Sequence, residues 1–355
     1  MSRLIRPRPA PFAALLLAAA ASLTACAGHT PLAGCDPADG VTPICGFQNP
    51  EDLVTLDDEW LLVSQMTLGD AAGNLLAFRP ADGSRRILWP TSGTMTEARR
   101  ADGDGCAPPA TDLFAPHGID LSRDRRSLLV VNHGGREAVE RFRIDERDGV
   151  PVLVWTDCVA FDDAILLNDV ASLPGGGFVV TEMMGKGVSA QLALVTGRDT
   201  GQVWHWTPEA GARAIPGSGG QGPNGIAASA DGRTVFIADW GGEQLVRIGL
   251  DGADRAVAPL GFHPDNLSWT ADGQVLAGGQ LVGPIEATRC FDLLEGGCSL
   301  ASAAARVDPA TLAVRRVWTH DPATAAGGIS SALERGDSIW LGAYGGDRIA
   351  RIPAR

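Results

Sequence analysis

The sequence predicts an all-β chain folded as a six-bladed β-propeller with four-stranded blades, and three observations carry that expectation. Glycine is abundant, 45 of 355 residues, and Asp-Gly and Gly-Gly pairs punctuate short Val/Ile/Leu/Trp runs with little helical periodicity. A phrase of two polar or small residues followed by an aliphatic one recurs as Glu51-Asp52-Leu53, His117-Gly118-Ile119, Asn168-Asp169-Val170, Asn224-Gly225-Ile226, Asp265-Asn266-Leu267 and Gly327-Gly328-Ile329. These starts lie about 55 residues apart on average, which suits one four-stranded blade with its loops.

The N-terminus comes first. Arg3, Arg6 and Arg8 precede an apolar run from Pro11 to Ala21 and then Leu23-Thr24-Ala25-Cys26. The run is shorter than the roughly 20 residues of a membrane-crossing helix. Small residues before a cysteine match the site at which bacterial lipoproteins are cleaved and lipidated. The expected organisation is a signal peptide over 1–25, a lipidated linker over 26–44 beginning at Cys26, and the propeller over 45–355. An ordinary signal peptide with an incidental cysteine is the alternative. Ala27 stands where inner-membrane retention is associated with aspartate, so the expected location is the outer membrane, facing the periplasm.

The net charge is -13. Losing three arginines with the leader makes the mature chain more acidic still, which argues against nucleic acid as a partner. Six further cysteines, Cys35, Cys45, Cys106, Cys158, Cys290 and Cys298, form an even set that reads as disulfides in an exported protein. The local pairs Cys35 with Cys45 and Cys290 with Cys298 would leave Cys106 with Cys158, although spacing does not fix connectivity. No C-x-x-C spacing supports zinc.

Within the repeats, a turn and then a strand follow most phrases: Asp231-Gly232 precedes Thr234-Val235-Phe236-Ile237, and Asp272-Gly273 precedes Gln274-Val275-Leu276. A blade buries its faces only against its neighbours, so six close into a ring. The chain ends on a third strand of the last blade, Asp347 to Ile352, so the stretch near Ile44 to Gln48 is expected to supply the fourth. A two-domain β-sandwich is the alternative architecture.

Inner strands of a propeller line its tunnel, so the phrases should converge on the axis. Glu51, Asn168, Asn224, Asp265 and Asn266 offer the hard oxygen donors that calcium prefers, and the two carboxylates balance one Ca²⁺. Asp52 and Asp169, one step along, could balance a second Ca²⁺ with the Ile119 carbonyl. Each phrase taken singly could equally be a plain turn cap. His117 opens one phrase and His133 ends the neighbouring strand Leu128 to Asn132; two such imidazoles can touch, one taking a proton from water while the other passes it on. No G-x-S-x-G elbow points to a serine nucleophile.

On Pro116-His117-Gly118-Ile119, Leu129-Val130-Val131-Asn132-His133, Leu167-Asn168-Asp169-Val170, Pro223-Asn224-Gly225-Ile226 and Asp265-Asn266-Leu267, with the acidic pair Glu51-Asp52, the chain resembles the serum paraoxonase and arylesterase family. Gluconolactonase and the senescence-marker propellers are more distantly similar. The resemblance implies a catalytic calcium on Glu51, Asn168, Asn224, Asp265 and Asn266, and a structural calcium on Asp52, Asp169 and the Ile119 carbonyl. It also implies a water-activating dyad of His117 and His133, and a lactone or ester as substrate. It further implies an acid supporting the second histidine near Val180 to Met183, where Glu182 is offset by one residue. Pocket aromatics are scarce, with Tyr344 the one tyrosine, and Cys290 to Cys298 forms an insertion without a family counterpart. Other readings are a sugar-lactonase or strictosidine-synthase-like propeller and a non-catalytic calcium-stabilised binding propeller. Oligomeric state is not legible.

Overall fold

The computed structural model describes residues 30–67, 72–91, 95–96 and 106–354. Cys26 and the leader lie outside the described residues.

Six sheets form the ring. Each of blades 1 to 5 is a four-stranded antiparallel meander in chain order, and blade 2 carries an additional short parallel edge strand, Met95–Thr96. The inner strands are Pro50–Thr55, Pro116–Leu121, Ile165–Ser172, Pro223–Ala228, His263–Trp269 and Ile329–Arg335; the first five contain the repeated phrases, whereas the sixth begins only at the last residue of Gly327-Gly328-Ile329. Blade 6 takes its inner three strands from the C-terminus and its outer strand from Thr42–Cys45, which pairs antiparallel with Arg348–Pro353 in the register Ile44↔Ile349. The closing strand thus begins three residues ahead of the boundary expected from sequence.

The second strands explain why the chain reads as short apolar runs. Leu61–Gln65, Val275–Gln280 and Ser338–Ala343 are buried at every position, because each lies inside a blade covered on both faces. Each neighbouring pair of blades shares its own apolar cluster: Trp89 and Phe142 between blades 1 and 2, Val131 and Phe178 between 2 and 3, Val179 and Ile237 between 3 and 4. Phe236 and Val275 join blades 4 and 5, Leu276 and Leu341 join 5 and 6, and Phe78 and Trp340 join 6 and 1. Among the described residues the apolar clusters lie between blades, so each blade is stabilised against its neighbours.

Three disulfides pair Cys35 with Cys45, Cys106 with Cys158 and Cys290 with Cys298. The first ties the N-terminal segment to the closing strand. Among the described residues two connections carry α-helices: α1, Val188–Val195, in blade 3 and α2, Pro284–Ala287, in blade 5. Among the described residues no helix is long and apolar enough to cross a membrane.

Candidate active site

The local device that builds the site is a β-bulge. In all six inner strands the pairing with the second strand slips, at the repeated phrase between Pro50/Asp52, Pro116/Ile119, Leu167/Val170, Pro223/Ile226 and Pro264/Leu267, and just past it in blade 6 between Ile329/Ser331. A bulge releases side chains from the ladder and re-aims them. Here it turns Glu51, His117, Asn168, Asn224, Asp265 and Asn266 toward the axis at one end of the tunnel. Crowding there also selects glycine. A Cβ on Gly118 would stand 2.3 Å from an Asp169 carboxylate oxygen, and one on Gly225 would stand 2.3 Å from the Asp265 carbonyl oxygen.

Residues distant in sequence meet. Asn266 donates from Nδ2 to Glu51 Oε1 at 2.7 Å across 215 positions, Asn224 hydrogen-bonds the Asp265 carboxyl, and Gln280 donates to Asp265 Oδ2 at 2.8 Å. Glu51, Asn168, Asn224, Asp265 and Asn266 are all buried. Four of their oxygens, Glu51 Oε2, Asn168 Oδ1, Asn224 Oδ1 and Asn266 Oδ1, have no hydrogen-bond partner. Orphaned buried acceptors are costly and rare. Three on equivalent inner-strand positions of blades 1, 3 and 4, with Asn266 one step along in blade 5, make a donor set suited to a hard cation.

Electrostatics point the same way. Burial, then Asp52, Asp265 and Asp169, holds the Glu51 carboxyl well above the usual range; burial pushes Asp265 up to about 7. These acids resist sharing a dry tunnel without a compensating positive charge. Among the described residues no cluster of three or more His, Cys, Asp or Glu could by itself hold a metal, so an ion here would draw on the amide oxygens as well as two carboxylates.

Asp52 and Asp169 are employed differently. Asp52 Oδ2 accepts from the Ile119 amide of the next blade at 2.8 Å and Oδ1 from Leu53; Asp169 Oδ2 accepts from the Ile226 amide at 2.8 Å and Oδ1 from Val170. Both are inter-blade staples with no orphaned oxygen. Their carboxyls are nevertheless raised, Asp52 to about 7 by burial, and Asp169 by burial and then by Asp52. What favours a second ion is therefore the burial of two acids among other carboxylates rather than vacant donor atoms.

The histidines touch. His117 Nδ1 and His133 Nε2 are 2.8 Å apart, and His133 Nδ1 is 3.0 Å from both oxygens of Glu137. Glu137 is fully buried and also accepts from Lys186 Nζ at 2.9 Å and the Leu167 amide at 3.1 Å. Burial opposes its charge, but the contacts with His133, Lys186 and Leu167 outweigh it and leave the carboxyl below its ordinary range. An ionised Glu137 accepts only, so the His133 proton sits on Nδ1 and its Nε2 accepts from His117 Nδ1–H. The lone pair of His117 Nε2 is then left facing Glu51, whose Oε1 is 3.7 Å away. Burial and then His133 hold His117 well below its usual value, so it is neutral and basic in form.

Glu137 was missed in the sequence, and it takes the part expected near Glu182. Glu182 instead accepts from Trp204 Nε1 at 2.9 Å and Gln202 Nε2 at 3.2 Å, away from the histidines. The available signal was His133-Gly134-Gly135-Arg136-Glu137, in which a Gly-Gly turn folds the acid back beneath the ring. Gly134 has no alternative, since a Cβ there would fall 1.5 Å from the Leu113 carbonyl oxygen. Asn132 clamps the two histidine-bearing segments, accepting from the Ala115 and Gly134 amides at 3.0 Å each. His263 stacks on Trp240 and contacts its carbonyl oxygen at 2.8 Å, a structural placement. The large hollow of about 1960 Å³ opens at the other end of the tunnel, against Asp52, Asp120, Asp169 and Trp269, and contains neither histidine.

No family model matches the chain, and no curated protein matches it in sequence. Its fold is similar to several solved structures. A luciferin-regenerating enzyme superposes with a TM-score of 0.55 at 14% identity, covering 88% of this chain and 95% of that one. A candidate gluconolactonase gives 0.54 at 15% identity, covering 92% and 98%. The PQQ-bound aldose sugar dehydrogenase of Streptomyces coelicolor also gives 0.54 at 15%, covering 91% and 99%. At such identities the likeness establishes the propeller, a scaffold that hosts a different chemistry in each of the three.

Proposed function

We propose that this chain is a calcium-dependent hydrolase that opens lactones and cleaves aryl esters, in the manner of the paraoxonase family it resembles. One observation supports this reading above the rest. A hydrogen-bonded file, Glu137 to His133 to His117, ends in a basic nitrogen beside Glu51, on the rim of a buried cage with four unpartnered oxygens. Glu51, Asn168, Asn224, Asp265 and Asn266 would hold the ion. Asp52 and Asp169 with the Ile119 carbonyl would hold a second, whose support is the burial of those two acids among other carboxylates.

Calcium bound in the cage would supply Lewis acidity toward a carbonyl oxygen. The remaining work falls to the chain. His117 Nε2 takes a proton from water as the water oxygen attacks the acyl carbon. Its Nδ1–H stays donated to His133, whose own proton stays on Nδ1 against Glu137, so the positive charge that develops is spread over a file ending in a carboxylate. As the acyl–oxygen bond breaks, the proton returns from His117 to the departing alkoxide. A hydroxy acid leaves from a lactone; an acid and an alcohol or phenol leave from an ester. No nucleophilic side chain is consumed.

An exported, lipid-anchored protein belongs to the same reading, with Cys26 acylated and the outer membrane, on its periplasmic side, as the location. Three disulfides suit an oxidising compartment. The test is a panel of γ- and δ-lactones, sugar lactones and aryl esters, assayed before and after stringent calcium removal and with metal analysis of the pure protein. Lactone turnover that survives removal unchanged overturns the reading; turnover confined to sugar lactones would favour a gluconolactonase-type specificity.

A further inference from the structure

Glu140 is a buried carboxylate that belongs to neither the histidine file nor the cage. It lies in the third strand of blade 2, Ala138–Arg147, with no exposed surface. Arg136 donates to its Oε1 from Nε at 3.0 Å and from Nη2 at 2.7 Å, and to its Oε2 from Nη2 at 3.0 Å. From the fourth strand, Val150–Ala160, Trp155 Nε1 donates to Oε2 at 2.8 Å. From the end of the second strand, Ser127–Asn132, Asn132 Nδ2 donates to Oε1 at 3.3 Å.

Two of these partners bracket the turn that aims the relay. Asn132 stands immediately before His133, and Arg136 immediately before Glu137. Between His133 and Arg136 are two glycines, which offer no side chain to hold the turn. Glu140 therefore grips the chain just ahead of each relay member in this segment. Asn132 extends the grip to His117. Its Oδ1 accepts from the Ala115 and Gly134 amides, while the His133 amide donates to the Ala115 carbonyl at 3.0 Å, and Ala115 lies two residues before His117. A line of hydrogen bonds thus runs from Trp155 through Glu140 and Asn132 to the threshold of the inner strand.

Stability alone does not account for a charge at this place. Burial pushes the Glu140 carboxyl up, and its bonds to Trp155, Arg136 and Asn132 oppose that rise without cancelling it. Buried ion pairs are weak stabilisers, and apolar groups of similar volume often replace them without loss. Selecting one arrangement of the turn is a different matter. A displacement of about 1 Å is enough to break the hydrogen bond between two imidazoles and to cost turnover heavily.

We propose that Glu140 is the positioning residue of the histidine pair. By holding Asn132 and Arg136 it fixes the turn, and so sets the 2.8 Å contact of His117 Nδ1 with His133 Nε2 and the 3.0 Å contacts of His133 with Glu137. It acts only through those two residues. Its bearing on turnover rests on the hydrolase reading; its bearing on histidine geometry does not.

The test is NMR of the calcium-saturated full-length protein, isotope-labelled at the histidine ring nitrogens. In the unsubstituted protein His117 and His133 should each show a single Nδ1–H tautomer, assigned by the signals lost in His117→Gln and His133→Gln. Glu140→Gln keeps the shape but turns a donor toward Arg136 or Trp155. It should replace those signals with averaged, exchanging tautomers and lower kcat for a lactone about 10- to 10²-fold, with KM within about twofold. Arg136→Met with Glu140→Met removes both charges, should stay folded, and should lose the same signals. Either variant keeping the original tautomers overturns the proposal. So does an unsubstituted protein without ordered tautomers at this pair, and so does unfolding of both variants, which would make Glu140 structural. Absence of lactone turnover in the unsubstituted protein overturns the hydrolase reading and leaves the nitrogen signals to decide this one.

Discussion

Removing calcium should convert the tunnel acids from an asset into a liability whose size depends on pH. Asp52 and Asp265 have folded values of about 7 against an ordinary 3.8. Between those values the folded state binds more protons than the unfolded state, so stability is fully present below about pH 4 and is lost as pH rises toward 7. Between pH 5 and pH 8 each acid costs about 3 kcal/mol over its two or so units of titration, on the order of 5 kcal/mol together. For the unit spanning Pro31–Arg355, unfolding entropy is about 0.7 kcal/mol/K, so the melting temperature should fall by about 8 °C over that range. Protein stripped of calcium and kept in resin-treated buffers, since common chelators weaken at acid pH, is melted at pH 5, 6, 7 and 8. Saturating calcium should raise the pH 8 melting temperature most and flatten the dependence. A calcium-free protein whose melting temperature is level or rises from pH 5 to 8, or that does not respond to calcium at pH 8, would refute the reasoning.

Three further outcomes follow from the site. His117→Gln should lower lactone turnover by about 10² or more with calcium content unchanged; a variant that comes out calcium-free and misfolded would make the residue structural. Glu137→Gln keeps the shape but frees His133 to reverse its tautomer. It should cost about 10² to 10⁴ in kcat, with Lys186→Met milder, and equal turnover in the glutamine variant across the pH profile would remove Glu137 from the relay. Gly118→Ala places a Cβ 2.3 Å from an Asp169 oxygen and should destabilise by about 1–3 kcal/mol in thermal or urea unfolding, whereas Gly149→Ala, with nothing within 4 Å of the added Cβ but a φ of +74°, should cost only about 1 kcal/mol.

The blade count was legible because a propeller repeats its inner strand, and that strand cannot vary freely. The bulge at each phrase requires a small or polar pair, and crowding requires glycine at Gly118 and Gly225, so geometry left a visible mark every few dozen residues. Cage candidates were legible for the same reason, since they occupy the bulged positions. Glu137 left no such mark. It lies in a connection rather than a repeat, and its role depends on a turn of four residues that has no counterpart in the other blades. The placement of Glu182 could not be read either. One residue's shift along a strand reverses the face to which a side chain points, and this carboxylate is directed to Trp204 and Gln202.

By itself the sequence determined the repeat, the ring it demands, the even set of six cysteines beyond Cys26 and the polar residues that most blades offer to the axis, because these are local patterns. Tertiary structure alone decided which of those polar atoms are left unpaired and which are spent. Asn266 reaches Glu51 across most of the chain, while Asp52 and Asp169 give their oxygens to the amides of neighbouring blades. Hydrogen-bond partners in a closed ring come from different blades, and no spacing along the chain encodes which oxygen remains without one.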